Sequence, residues 1–380
     1  DNQGFIAVDI TRTFPIFYTK QQGQWFISDD ANFLRAKFNL DIDKKMMEEF
    51  LFSGYMLEDK TLVTQIQQVC AHEVVSISEY TINREYFRYA VSEDSSVDFM
   101  LLQKELFSIY KNVGRRLVIS LKGRVAVLPL SGGYDSRLVL TLLKEQGYQK
   151  IICFSYGAKS SHEISIATDV AKSVGVQFIK IDYSQSFIES TLNVREFLNY
   201  KKYAGNLASL PHIQDFLAVK HLKQEGLIPD DAVFIPGIAG DIFSGSQIPG
   251  KLNRHSIGEN PQTIIKNMYL KLNNNKFTET LNICTTCFDY SVVENFCVKE
   301  KVPKFIANSV RVYDFLGFSY LLPLMDKELL TFFSKVPVEL KNRNKKNYSI
   351  DSNLYDSTNF IIFDKYNIAI KKNDIRIVFA

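Results

Sequence analysis

A chain of 380 residues with 45 basic and 42 acidic side chains carries a net charge of only +3, so no basic field argues for a nucleic-acid partner. At 46% hydrophobic and 23% charged residues, the composition is that of a soluble globular protein of about two domains. No uninterrupted apolar run approaches the roughly 20 residues that span a bilayer, which argues against a membrane protein. Five cysteines form no disulfide framework and point to a reducing, cytoplasmic setting.

The chain starts at Asp1 in what reads as mid-strand, the expected pattern of a processed or truncated product. Residues 1–92 are β-rich: GFIAVDI, FPIFYTK and QWFISDD are short alternating or aromatic runs between Gly and Asn/Asp turns. A helix-like stretch follows at 43–53, after which EVVSISEY and YFRYAVSE resume the strand pattern. The polar run 92–98 predicts a boundary, with Asp98 as N-cap of the next helix.

From 98 to 380 the rhythm changes to alternating strands and helices, which predicts an α/β domain, a parallel sheet with helices on both faces. RVAVLPL (124–130) has the character of a fully buried strand, and 136–147 that of a helix stopped by Gly147. KIICFSYG (150–157) is a second strand. The helix 162–175 then places Ile166, Ala167, Val170, Ala171 and Val174 on one face. VQFIKIDYS is a third strand, PHIQDFLAVKHLKQEG a helix, and AVFIPGIAGD a fourth strand entering a glycine-rich turn. Residues 250–380 read as helical and irregular.

The chemistry concentrates in AVLPLSGGYDSRLVL, residues 126–140. A buried strand followed at once by Ser-Gly-Gly and a helix builds an anion site: bare glycines let backbone N–H groups approach an oxyanion, and the helix N-terminus adds its positive end. Polyphosphate is the natural ligand. A Walker loop would need a GK[ST] ending, and a dinucleotide loop GxGxxG; neither is present. A hydrolase elbow needs GxSxG, but Pro129 stands two residues before Ser131. Two weaker features remain. Cys284 and Cys287, with Cys297 nearby, suit either a zinc or redox site or buried free thiols. LKNRNKKNY (340–348) suits a solvated loop.

The set Ser131-Gly132-Gly133-Tyr134-Asp135-Ser136 resembles the SGGxDS pyrophosphate loop of the N-type ATP pyrophosphatases, and its surroundings resemble the asparagine synthetase family. DITRTFPIFY and WFISDDANFLRA are similar to the later half of that family's glutaminase domain, and MMEEFLFSGYMLEDKTLVTQIQQV to the segment joining its domains. PGIAGDIFSG (236–245) resembles its second, GxGADExFGG-like loop, and LLPLMDKELLTFFSKVPVELK its RxPFLD segment. The resemblance covers most of the chain. It implies an adenine nucleotide alpha hydrolase-like fold over 98–380, preceded by a partial Ntn-glutaminase-like domain over 1–92.

It also implies a reaction and its residues. Such enzymes cleave ATP between the α and β phosphates, join AMP to a carboxylate and let ammonia or an amine displace it. Gly132 and Gly133 would offer amides and Ser131 and Ser136 hydroxyls to the pyrophosphate. Asp135 and Asp241 would bind Mg²⁺, a hard cation that prefers carboxylate and phosphate oxygens. Leu130, Tyr156 and Gly237 would contact the nucleotide, with Tyr156 equally suited to a strand-end core position. Arg137 suits a phosphate contact or a sheet-edge cap. Lys345 or Lys346 would stabilise charge as the amide forms.

The acceptor side departs from the family. Ile238 stands where its second loop carries a Glu, Leu321 where RxPFLD carries its Arg, and Ser319 where an acidic residue precedes that Arg. Adenylation is therefore better supported than aspartate as substrate, and a uronic acid is one other carboxylate that would serve. The N-terminal cysteine nucleophile of the family's glutaminase is not matched by Asp1, which leaves a front segment elsewhere, a vestigial scaffold, or direct entry of ammonia. A catalytically altered nucleotide-binding or regulatory homologue is the alternative. Sulfur transfer to tRNA would call for a basic surface and catalytic cysteines.

Overall fold

The computed structural model describes residues 4–78, 82–86, 89, 91–92, 98–245, 247–248, 263–266, 289–341, 358 and 365. In the front part, β1 (Gly4–Ala7), β5 (Glu73–Ile77) and β6 (Ile82–Tyr86) form one antiparallel sheet in the order β1-β5-β6. β2 (Phe17–Gln21) lies between β3 (Gln24–Ser28) and β4 (Gln67–Gln68) in a second. Period-two patterning shows in β5, where Glu73, Val75 and Ile77 are buried and Val74 is exposed. Two helices separate these strands, α1 (Ala31–Lys37) and α2 (Lys44–Ser53), capped by Asp30 and Asp43. The sequence pattern marks α2 but misses α1. It also sets the strand after β5 too late, because β6 folds straight back with Ile82 opposite Ile77.

The long helix α3 (Phe99–Leu121) begins at the expected cap, the Asp98 carboxylate accepting from the Met100 and Leu101 amides. Its buried stripe Leu102, Leu106, Ile109, Val113 and Leu117 recurs every three or four residues. Next come β7 (Ala126–Pro129), α4 (Tyr134–Glu145), β8 (Ile151–Gly157), α5 (His162–Ser173) and β9 (Gln177–Asp182). The helices α6 (Gln185–Thr191) and α7 (Val194–Gly205) are absent from the sequence expectation, and α8 (Phe216–Gln224) starts five residues after the expected Pro211. The short strand β10 (Val233–Phe234) leads through α9 (Gly240–Phe243) into the last third. That third contributes β11 (Ser319–Tyr320), a strand the helical expectation overlooked; two residues are too few for a period to show.

β7 to β11 make one five-stranded sheet in the order β11-β10-β7-β8-β9, with every neighbouring pair parallel. Successive side chains serve opposite cores. Leu128, Cys153 and Val233 face a core shared with α3, α4 and α5, while Val127, Phe154 and Phe234 face one shared with α7 and α8. This is the expected α/β sheet flanked by helices. The chain starts at the central β7, moves outward through β8 and β9, then returns to the far side of β7 with β10. The switch point therefore lies between β7 and β10, and ligands of open parallel sheets bind there, at the carboxyl ends.

The front part is joined to this sheet by backbone bonds. Met56 and Leu62 donate to the carbonyls of Ala208 and Leu207, and Leu210 donates to Gly54, each at 2.8 Å. Asn206 caps α1 from outside, accepting from the Ala31 amide at 2.7 Å. Beside this seam the buried pair Lys304–Glu300, 2.5 Å apart, also receives the Glu58 amide at 3.0 Å. No helix among the described residues is long and apolar enough to cross a membrane.

Candidate active site

Pro129 ends β7, and the chain turns through Ser131, Gly132 and Gly133 into α4. Gly133 is the N-cap and supplies no side-chain cap, so the first-turn amides of α4 are left to other acceptors. Asp135 is the acidic residue of that first turn. The Ser136 hydroxyl crosses beneath the loop, accepting from the Ser131 amide at 3.1 Å and lying 3.0 Å from Ser131 Oγ. Ser131 Oγ in turn accepts from the Gly133 amide at 3.1 Å. Ser136 is buried, whereas Gly133 is exposed. The two serines thus brace the loop from inside and leave its glycine face outward.

Gly132 lies against the start of α5: a Cβ built on it would stand 3.3 Å from Ile166 Cδ1 and 3.5 Å from Glu163 Cα. Gly237 is tighter. Its Cβ would stand 2.6 Å from the Ser136 amide nitrogen and 2.7 Å from the Asp135 carbonyl carbon. Only a residue without a side chain lets the loop after β10 touch the loop after β7. The structure therefore brings 131–136 and Gly237 into backbone contact at the switch point. In the next turn Ala239 takes a left-handed φ of 73° as N-cap of α9. Asp241 belongs to α9 by backbone, but its side chain lies outside the described residues, as do Lys345 and Lys346.

The remaining expected contacts sit differently. Leu130 points its side chain into the core, its amide donates to Phe154 at 2.8 Å, and its carbonyl accepts from Ser155 Oγ. Tyr156, at the end of β8, is half-buried, stacks on Tyr183 with ring centroids 5.0 Å apart, and donates its hydroxyl to Asp215. Tyr313 donates to the other oxygen of Asp215 at 3.1 Å. Burial and the nearby Asp215 charge both push the Tyr156 hydroxyl well above its ordinary pKa, so it is a hydrogen-bond donor and not an acid–base group at neutral pH. Nothing in its own spacing marks Asp215 as the centre of this cluster.

Arg137 is wholly buried under the loop and donates through Nη2 to the Gly132 carbonyl. Burial lowers its pKa to about 10, so it stays charged. Ser319, exposed, pairs in register with Val233, level with Ala126 and on the Arg124 side of the sheet; Arg124 Nη1 is 3.4 Å from its hydroxyl. At about 3.3 Å per residue this is far from the loop that starts at Ser131. Cys70, Cys153 and Cys297 are buried, Cys284 and Cys287 lie outside the described residues, and no metal-sized group of His, Cys, Asp and Glu occurs among the described residues.

The chemistry available is anion binding by amides and hydroxyls at a helix start, with one carboxylate beside it for a hard cation. Residues 125–208, which hold the first loop but not the second, match the family model described as "Queuosine biosynthesis protein QueC". The 7-cyano-7-deazaguanine synthase of Archaeoglobus fulgidus is 45% identical over 115 residues, 30% of this chain and 43% of that protein. Asparagine synthetase [glutamine-hydrolyzing] 1 of Bacillus subtilis is 23% identical over 176 residues, 43% of this chain and 26% of its own length. The chain thus spans less than half the length of these relatives. Among solved structures, the U34-tRNA thiolase NcsA from Methanococcus maripaludis overlaps 71% of this chain and 83% of its own at 13% identity, with a TM-score of 0.25, too low to bear on fold or function. The sequence matches support the PP-loop ATP pyrophosphatase superfamily, and not the asparagine synthetases in particular.

Proposed function

We propose that this chain is an ATP-dependent, AMP-forming ligase that activates a carboxylate as its acyl-adenylate and passes the acyl group to ammonia or an amine. The observation that carries this is the contact of Gly237 with the Asp135–Ser136 backbone, which puts the two loops side by side at the switch point. In the first step a carboxylate oxygen bonds to the α-phosphorus of ATP and pyrophosphate leaves. The α4 amides and those of Gly132 and Gly133 receive the pyrophosphate, with the Ser131 and Ser136 hydroxyls beside them. Asp135 and Asp241 are the residues that would hold Mg²⁺, which would supply a positive charge to offset that on the leaving group. In the second step the amine attacks the acyl carbon, AMP leaves and the amine loses a proton; Lys345 or Lys346 would steady the charge that develops.

The acceptor pocket we propose is not built for aspartate. Ile238 and Leu321 are apolar where the asparagine synthetase pattern places charges, which favours a different carboxylate. We further propose that the front part resembles the later half of a glutaminase domain and that Cys70 is no nucleophile there, because burial pushes its thiol up to about 12. The test is product analysis with α-labelled ATP and Mg²⁺ over a panel of carboxylates, with ammonia or glutamine. AMP and pyrophosphate are expected. ADP and phosphate would overturn the mechanism, and tight ATP binding without AMP for any acceptor would mark a regulatory nucleotide-binding protein instead.

A further inference from the structure

Arg137 is the largest wholly buried side chain of the described residues and stands directly under the candidate pyrophosphate loop. A guanidinium stays ionised, and taking it out of water costs several kcal/mol unless an opposite charge compensates. Among the described residues no carboxylate lies within ion-pair distance of it. Its company is the Tyr134 ring, 5.8 Å away, and the Gly132 carbonyl. Nε and Nη1 are buried without a hydrogen-bond partner. A fold that buries a cation in this way carries a standing electrostatic cost beside a site whose ligand would be an anion.

The bond to Gly132 has a second consequence. The carbonyl of Gly132 and the amide of Gly133 belong to one peptide unit, planar and trans, so they point in opposite directions. Holding the carbonyl against Arg137 turns the N–H of the same unit the other way, where it donates to Ser131 Oγ at 3.1 Å. Arg137 therefore sets the peptide unit whose N–H holds the Ser131 hydroxyl, and adds a positive charge behind the loop.

We infer that Arg137 is the positioning residue of the loop: it sets the Gly132–Gly133 peptide and supplies a buried countercharge that a bound pyrophosphate group completes. This rests on the PP-loop reading above. The ligand class is a diphosphate or triphosphate, free or as part of ATP. A neutral nucleoside, with no phosphate to sense the charge, would gain nothing from Arg137.

The test compares wild type with Arg137→Gln, which keeps a donor for the Gly132 carbonyl but no charge, and with Arg137→Lys, which keeps the charge. Binding of inorganic pyrophosphate, Mg·ATP and adenosine is measured by calorimetry, and stability without ligand by urea denaturation. Arg137→Gln is expected to be as stable as wild type or more so, to bind pyrophosphate and Mg·ATP at least tenfold more weakly, and to bind adenosine unchanged. Arg137→Lys is expected to recover part of the pyrophosphate affinity. Equal loss for adenosine and pyrophosphate, or a destabilised Arg137→Gln protein with unchanged pyrophosphate affinity, would show a purely structural arginine and overturn the inference. If Arg137→Gln fails to fold, Arg137→Met, which fills the space without the charge, decides: pyrophosphate affinity lost while adenosine binding and stability hold retains the inference, and unchanged pyrophosphate affinity overturns it. Wild type that binds neither pyrophosphate nor Mg·ATP would sink the ligase proposal itself, an outcome distinct from wild type and Arg137→Gln binding both equally.

Discussion

Gly237→Ala perturbs the contact between the two loops at its closest point. The new Cβ would stand 2.6 Å from the Ser136 nitrogen, 2.7 Å from the Asp135 carbonyl carbon and 2.9 Å from Ser136 Cα, all backbone atoms of the helix start. Restoring an ordinary contact of 3.4 Å requires the two loops to part by about 0.8 Å. No rotamer relieves this, because the obstacle is main chain. Overpacking of this kind costs about 1–3 kcal/mol, and displacing a reacting group by about 1 Å costs on the order of a hundredfold in rate. ATP–pyrophosphate exchange should fall by roughly ten- to a hundredfold, with Mg·ATP binding weakened in parallel, while Gly4→Ala, which meets no atom within 4 Å, changes neither. A Gly237→Ala protein that binds Mg·ATP as wild type does would refute the view that these two loops form one site.

Ser136→Ala removes the hydroxyl that accepts from the Ser131 amide; a stability loss of about 1–2 kcal/mol in urea and faster amide exchange at Ser131 are expected. Glu300→Ala leaves Lys304 buried without its partner and should cost about 3–5 kcal/mol, whereas replacing both by apolar residues should cost less; equal losses in the two proteins would contradict the pairing. The pKa values of Cys70 and Cys153 are raised from 9.0 to about 12 by burial. A raised folded pKa favours the protonated form, so their contribution is complete below pH 9 and is lost as pH rises toward 12. Buried Tyr156 and Tyr313 act in the same direction from about pH 10, their unfolded value. The urea midpoint should decline progressively above pH 9; a flat profile from pH 9 to 11 would count against this. Both thiols should also resist a disulfide reagent at pH 8 until the protein is unfolded.

Local chemistry made the core of the site readable. Ser131-Gly132-Gly133 followed by a helix reads as a loop whose amides can face an anion, and the nearly unbroken apolar runs of β7 and β8 identify strands buried on both faces. Asp98 marks a helix start because an N-cap needs only a short acceptor two or three residues from the amides it serves. Elements without a local pattern escaped: β11 is two residues long and exists because Ser319 and Tyr320 find Val233 and Phe234 beside them. The place of Ser319 in the sheet has the same origin, since register along a sheet is decided by pairing and not by the residue itself.

By itself the sequence determined the parallel α/β character, the loop after β7 and the anion chemistry that loop can perform, because periodicity, glycine and helix dipoles act over a few residues. Only the tertiary structure decided that β10 returns beside β7, that Gly237 must be bare to touch Ser136, and that Arg137 is buried under the loop with two unsatisfied donors. Those facts depend on contacts between residues a hundred positions apart, and on burial, which sets the energy of a charge and cannot be read from its neighbours in the chain.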